Sequence, residues 1–424
     1  MSEKPEDTRR RDWQDCLPWL ILFKAVRPAI GFRVLVLSAI GLVGMVAGWR
    51  IGWDLLALTA AGPDIKVLAP ELSDLGAQHE GLIPPWPWET GYRNFSSNGP
   101  LRGLSSIPVI GSVVATAAMT AAELTLPFQV LFRQGLTYRS FAYALVCCGW
   151  ALLVWGYFGG MITRIAAVKL THDELISYKA AGKFARSHWC SYMAAPLLPI
   201  LGIFALGVPI ALLGFFARLD VGLFVAGILW PLVILVGLLM TIFLLGLMFG
   251  WPLMWSTIST EGTDAFDAIS RAYAYVFQRP FHYLFYVILA TVVGVLGWIL
   301  IHGIVDLVVY CTHWAFSWGL SSDRLIHLNQ HNDRLLDSGL VGWGYFLIQF
   351  WQGVLRTLTT AFAVSFLWSG ATAIYLLLRR QVDGVELDEA QLDEGETEFG
   401  LPQLETDAAG SVGVVGDENP PAGE

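Results

Sequence analysis

The side chains able to do chemistry in this 424-residue chain fall into three short constellations. Asp323, His327 and His331 follow one another at intervals of four, with His313 upstream. On a helix that spacing aligns one carboxylate and two imidazoles, ligand types that suit zinc. The pattern lacks the glutamate general base of a metalloprotease helix. Asp333 and Arg334 beside it read equally well as a solvated surface. Arg50 and Asp54 form the second pair and His302 and Asp306 the third, each four apart and so on one helical face. Arg356 stands near them in depth, at the start of a later apolar run. Ionisable groups inside apolar spans mark functional sites when they pair with one another. The expectation is an outward-facing polar cluster of these five, with Asp306 paired to Arg356 or Arg50. The alternative is that all five stretch to the headgroup layer.

Familiar catalytic signatures are missing. The chain has no GxSxG, HExxH, Walker A or GxGxxG pattern, so neither an activated nucleophile nor a phosphate cradle can be assigned. Its five cysteines, Cys16, Cys147, Cys148, Cys190 and Cys311, contain no CxxC pair, which argues against a structural zinc site or a disulfide framework. No catalytic residue and no cofactor are expected.

The elements that must position these residues follow from composition. The chain is 55% apolar and 14% charged, with a mean hydropathy of +0.56. Soluble domains carry about 25% charged residues, so the bilayer has to act as solvent for much of this polypeptide. Six runs reach the roughly 20 apolar residues that cross about 30 Å of hydrocarbon: 34–58, 140–163, 194–217, 222–250, 283–310 and 357–378. The fourth lies inside a charge-free stretch from Val221 to Thr260, and Trp251-Pro252 is expected to end it. Residues 108–126 are apolar but shortened by Glu123 and Pro127; they read as a surface helix, with a seventh span as the alternative. The predicted fold is an all-α, polytopic bundle of six transmembrane helices.

The predicted organisation is a basic segment 1–33, a membrane domain 34–380 and an acidic tail 381–424. Within the membrane domain, outer loops cover about 59–139 and 311–356, and inner connectors about 164–193 and 251–282. Seven Lys and Arg precede the first span and five more lie in 164–190. Under the positive-inside rule both termini face the cytoplasm. No cleavable signal is evident at the basic N-terminus. Thirteen of the 35 acidic residues lie in the tail, which contains no Lys or Arg, so the formal charge of −9 belongs to the tail and the body is slightly basic. Such a tail should be disordered. The body has no dense basic face, which excludes nucleic acid as a partner. Membrane lipids, a second copy or another membrane protein remain as partners. The run Pro84-Pro85-Trp86-Pro87-Trp88 reads as an aromatic anchor at the headgroups or an extended proline-rich recognition segment.

Two connectors share a pattern. One opens on Thr171-His172-Asp173-Glu174, a capping-box sequence, and closes on Arg186, His188 and Trp189. The other opens near Thr263 and Asp264, spaces Phe266, Ile269, Tyr273, Val276 and Phe277 on one face, and closes on Arg279 and His282. Each reads as an interfacial amphipathic helix leading into a span, and 17–33 reads as a third copy. Gly44, Gly48 and Gly52 form a small-residue face on the first span; Gly156 with Gly160 and Gly246 with Gly250 repeat the spacing. Such faces let another helix approach closely, within the chain or across a homo-oligomer. Pro196, Pro199 and Pro209 interrupt the third span and Pro231 the fourth, as in broken transporter helices or in ordinary kinked ones.

Four stretches carry a family resemblance: Gly159-Gly160-Met161-Ile162-Thr163-Arg164-Ile165-Ala166-Ala167; Phe184-Ala185-Arg186 followed by Ala195-Pro196; Asp267-Ala268-Ile269-Ser270-Arg271-Ala272-Tyr273; and Tyr375-Leu376-Leu377-Leu378-Arg379-Arg380. They resemble an uncharacterised family of bacterial multi-pass membrane proteins of about six helices. The resemblance implies a helical membrane fold in the inner membrane and supplies no catalytic residues. Two functions remain from the residues themselves. The first is a non-enzymatic membrane scaffold or accessory subunit. The second is a permease or channel with a path near the third to fifth spans.

Overall fold

A helix satisfies every backbone N–H and C=O within one segment, which leaves apolar chain in hydrocarbon few other choices. The computed structural model describes residues 17–59, 128, 131, 138–320 and 339–385, with the backbone of two short strands at 404–406 and 412–414. Three short turns, Pro18–Leu20, Ile21–Lys24 and Val26–Ile30, lead into α1 (Phe32–Thr59). There follow α2 (Tyr138–Thr171), α3 (Tyr178–Ser187), α4 (Trp189–Phe216), α5 (Asp220–Glu261), α6 (Ala265–Gln278), α7 (Pro280–Ser317) and α8 (Leu340–Val382). Six of these, α1, α2, α4, α5, α7 and α8, are long and apolar enough to cross a membrane. The strands β1 (Leu404–Thr406) and β2 (Val412–Val414) pair antiparallel within the tail. The expectations for 108–126, for Pro84 to Trp88 and for most of the acidic tail lie outside the described residues.

The helix ends have local causes. Asp264 caps α6 by accepting from the Asp267 N–H at 2.9 Å, and Ser177 caps α3 by accepting from the Ala180 N–H at 3.2 Å, as hydroxyl and carboxylate caps do. Gly262 ends α5 at φ +66°, its N–H bonded to the Ile258 carbonyl at 2.8 Å, a left-handed cap that glycine adopts without a Cβ clash. Pro280 starts α7, where a missing N–H costs nothing.

Three expectations are corrected. Thr171-His172-Asp173-Glu174 does not start a helix. Thr171 is the last residue of α2 and its hydroxyl donates back to the Ala167 carbonyl at 2.8 Å; the cap falls to Ser177. Trp251-Pro252 does not end the fourth long helix. α5 runs through it for 42 residues, about 63 Å at 1.5 Å per residue. The carbonyl of Phe249, beside this point, accepts from the Tyr283 hydroxyl at 2.6 Å, which ties α5 to α7 there. Residues 17–33 are three turns rather than one surface helix. They seat against α7 and α8, burying Ile21, Leu22, Ala25 and Ala29, and the Ala29 carbonyl accepts from the Ser365 hydroxyl at 2.8 Å.

α8 is the axis of the bundle. It touches α1, α2, α5 and α7, and 89% of its apolar window is buried. Trp255 of α5 stacks on Trp368 of α8, with ring centroids 4.5 Å apart and planes at 12°, and Trp251 meets Trp368 edge-on at 5.2 Å. α6 turns inward the face bearing Ala265, Ala268, Ala272 and Tyr275 and leaves Phe266 and Phe277 exposed. Small alanines permit the close approach to α5, and the two phenylalanines face outward. α4 and α5 form a long antiparallel hairpin that holds the bundle only by its base. Their apolar windows are 17% and 6% buried.

Candidate functional site

The expected polar cluster forms in part. His302 and Asp306 lie one turn apart on α7, with Nε2 3.2 Å from Oδ2. Arg356 of α8 brings its Nε to 3.9 Å from Asp306 Oδ1. The His302 ring stacks on Trp298 at 4.8 Å with planes 8° apart, which fixes it in the orientation that meets the carboxylate. Two turns further on, the side chains of His313 and Gln352 are in hydrogen-bond contact across α7 and α8. The pairing of Asp306 with Arg356 is thus present. Arg50 is half-buried on another helix, α1, and the side chain of Asp54 lies outside the described residues. Asp323, His327 and His331 also lie outside them. Among the described residues no group of three His, Cys, Asp or Glu side chains is placed to hold a metal ion.

The glycine faces are filled from within the chain. A Cβ on Gly48 would fall inside the Trp150 ring of α2, and Gly44 and Gly52 face Val154, Val146 and Tyr143 of the same helix. Trp150 Nε1 donates to the Gly44 carbonyl at 2.9 Å. Gly156 and Gly160 face Trp189, Met193 and Tyr192 of α4, while Gly246 and Gly250 face Tyr273 and Ala272 of α6.

Sequence reasoning missed a second centre altogether. Arg164 reads as the first cation of a connector, but α2 carries it into the bundle, where it is fully buried. Its Nη1 donates to the Ser259 carbonyl at 2.6 Å, and its guanidinium lies 4.0 Å from the centroid of Phe184, the cation–π arrangement. Ser259 also joins two hydroxyls, Thr163 at 2.5 Å and Tyr192 at 2.6 Å. Trp255 Nε1 donates to the Tyr192 carbonyl at 2.8 Å. Ser256, Thr257, Ser259, Thr260, Ser369 and Thr372 are all fully buried around this point. The sequence did hold a signal: apolar residues continue beyond Arg164 to Val168, and four hydroxyls crowd 256–260 at the end of a charge-free stretch.

Two residues beyond Ser259, Glu261 collects two cations. Arg271 Nη1 lies 2.6 Å from Oε2 and Arg379 Nε 3.1 Å from Oε1, while the Tyr375 hydroxyl donates to Oε1 at 2.5 Å. Arg271 is also paired with Asp267 at 3.1 Å. Burial lowers the pKa of Arg271, yet Glu261 and Asp267 outweigh it and hold the group above its usual range. The Tyr275 hydroxyl donates to Asp383; burial first, and then that carboxylate, push its pKa up. Burial likewise pushes Tyr273 up to about 12. The ion pairs and hydrogen bonds of Glu261 tie α5, α6 and α8 together.

The fold and these centres define a multi-pass α-helical membrane protein. Compared with family models, with curated proteins and with solved structures, the chain matches none.

Proposed function

We propose that the chain is a non-enzymatic scaffold or accessory subunit of the cell inner membrane, with both termini in the cytoplasm. The observation that carries this reading is the uncovered α4–α5 hairpin. Its outer residues, among them Leu223, Phe224, Ile228 and Leu232, are more than half exposed, although the same chain buries α8 almost completely. A second membrane helix, from a partner or another copy, finds there a long apolar face joined to a rigid base. The polar groups support the reading because they are committed to structure: Arg164 to Ser259 and Phe184, Glu261 to Arg271 and Arg379.

The test is native mass spectrometry of the full chain in mild detergent, with photo-crosslinkers at Phe224 and Ile228. The expected result is a species heavier than the 46.7 kDa chain, with crosslinks from both positions to protein. A single chain crosslinked only to lipid overturns the reading. A permease is the second reading, favoured by Pro196, Pro199 and Pro209 within α4, which free backbone carbonyls in the way broken transporter helices do. Solute or ion flux across proteoliposomes, absent in empty vesicles, would support it.

A further inference from the structure

We infer that the groove between α5, α7 and α8 binds one anionic phospholipid, one of its acyl chains in the groove and its phosphate on Arg279. The groove encloses about 180 Å³, more than the roughly 150 Å³ of an apolar cavity that stays dry and takes up benzene. On α7 its wall is the stripe Tyr283, Val287, Thr291 and Trp298; Phe366 and Gly370 of α8 face it. That stripe is about 22 Å long at 1.5 Å per residue, enough to take an acyl chain through its half of the ~30 Å hydrocarbon core. Gly370 has no side chain and Thr291 turns its hydroxyl to the Val287 carbonyl at 2.8 Å, so the lining stays apolar and open.

The charge sits where a headgroup would. Arg279 caps the start of α7, its carbonyl accepting from the Tyr283 N–H at 2.9 Å, so it stands at the Tyr283 end of the groove. It is exposed, and among the described residues its guanidinium has no ion-pair partner. Arg271 and Arg379 are engaged with Glu261, and Arg164 with Ser259. His282 is exposed beside it. An apolar trough that ends at one unpaired guanidinium matches a molecule with a hydrocarbon tail and a phosphate. An apolar partner helix would leave Arg279 unanswered.

The experiment uses the full chain in detergent with added lipid, read by native mass spectrometry. Phosphatidylglycerol and phosphatidylcholine with identical acyl chains compete. Preferential retention of one phosphatidylglycerol is expected. Arg279→Ala is expected to cut that preference about fivefold, the effect of one cation near an anionic surface. Ala363→Leu and Val295→Phe narrow the groove and should lower retention of both lipids. A phosphatidylglycerol carrying a photoreactive acyl chain removes dependence on variants that fold poorly. On the unaltered protein its crosslinks should map to 283–298 and 363–374. Equal retention of the two lipids, an unchanged preference in Arg279→Ala, or crosslinks spread over the α4–α5 hairpin would each overturn the proposal.

Discussion

At the residue scale, the question is what a single buried charge is for. Glu261 has a side chain only 9% exposed and lies between two guanidiniums. Removing its charge leaves two cations facing each other across a tyrosine hydroxyl. Glu261→Gln should therefore destabilise the protein by about 3 kcal/mol, the low end of the range for breaking a buried pair, because Arg271 is 36% exposed. The measure is thermal unfolding in detergent by circular dichroism. Adding Arg271→Gln should recover part of the loss, since one uncompensated cation is then gone; no recovery would show that the two groups do not interact. Single residues were also where the sequence was least legible. The four-residue interval placed His302 beside Asp306, and the depth of Arg356 suggested its pairing. For Arg164 the apolar residues that continue to Val168 hinted at burial but named no partner, and Glu261 gave no sign at all, because whether a charge at a helix end is solvated or enclosed depends on which other helices arrive there.

At the element scale, close helix approaches decide tolerance. A Cβ on Gly159 would stand 2.7 Å from the ring of Trp255, and that ring is buried and stacked on Trp368. A Cβ on Gly48 would meet Trp150 at a nominally worse distance, but Trp150 is 38% exposed and has room to swing outward. Gly159→Ala should thus cost about 1–3 kcal/mol, as overpacking of a core does. Gly48→Ala should cost no more than about 1 kcal/mol, the hydrogen bond from Trp150 to Gly44. Paired melting curves in one detergent decide it: equal losses, or a larger loss at Gly48, would refute the account. The number and order of spans were readable from apolar runs, since each run is longer than the hydrocarbon is thick. Their ends were not. The helices overrun those runs wherever the next residues find partners, as α2 does through Arg164 and α5 through Pro252.

At the scale of the whole molecule, burial is uneven. α8 is enclosed, whereas the hairpin of α4 and α5 stands largely outside the bundle. Lipid tails are as apolar as leucine, so trimming that surface changes little for the isolated chain. The triple substitution Leu223→Ala, Ile228→Ala and Leu232→Ala should leave the melting temperature of the single chain nearly unchanged while removing the heavier species in native mass spectra. Loss of the fold itself would mean that the hairpin belongs to the core rather than to an interface.

The sequence by itself determined the solvent, the helical class and the six crossings, because these depend on local composition and on the need of backbone in hydrocarbon to satisfy its own hydrogen bonds. It also showed which residues could pair along one helix. Tertiary structure decided which helix is central, which face of α6 turns inward, and that Arg164 and Glu261 are interior groups. Those outcomes depend on contacts between residues about a hundred positions apart, such as Arg164 with Ser259 and Glu261 with Tyr375, and no local pattern encodes such a meeting.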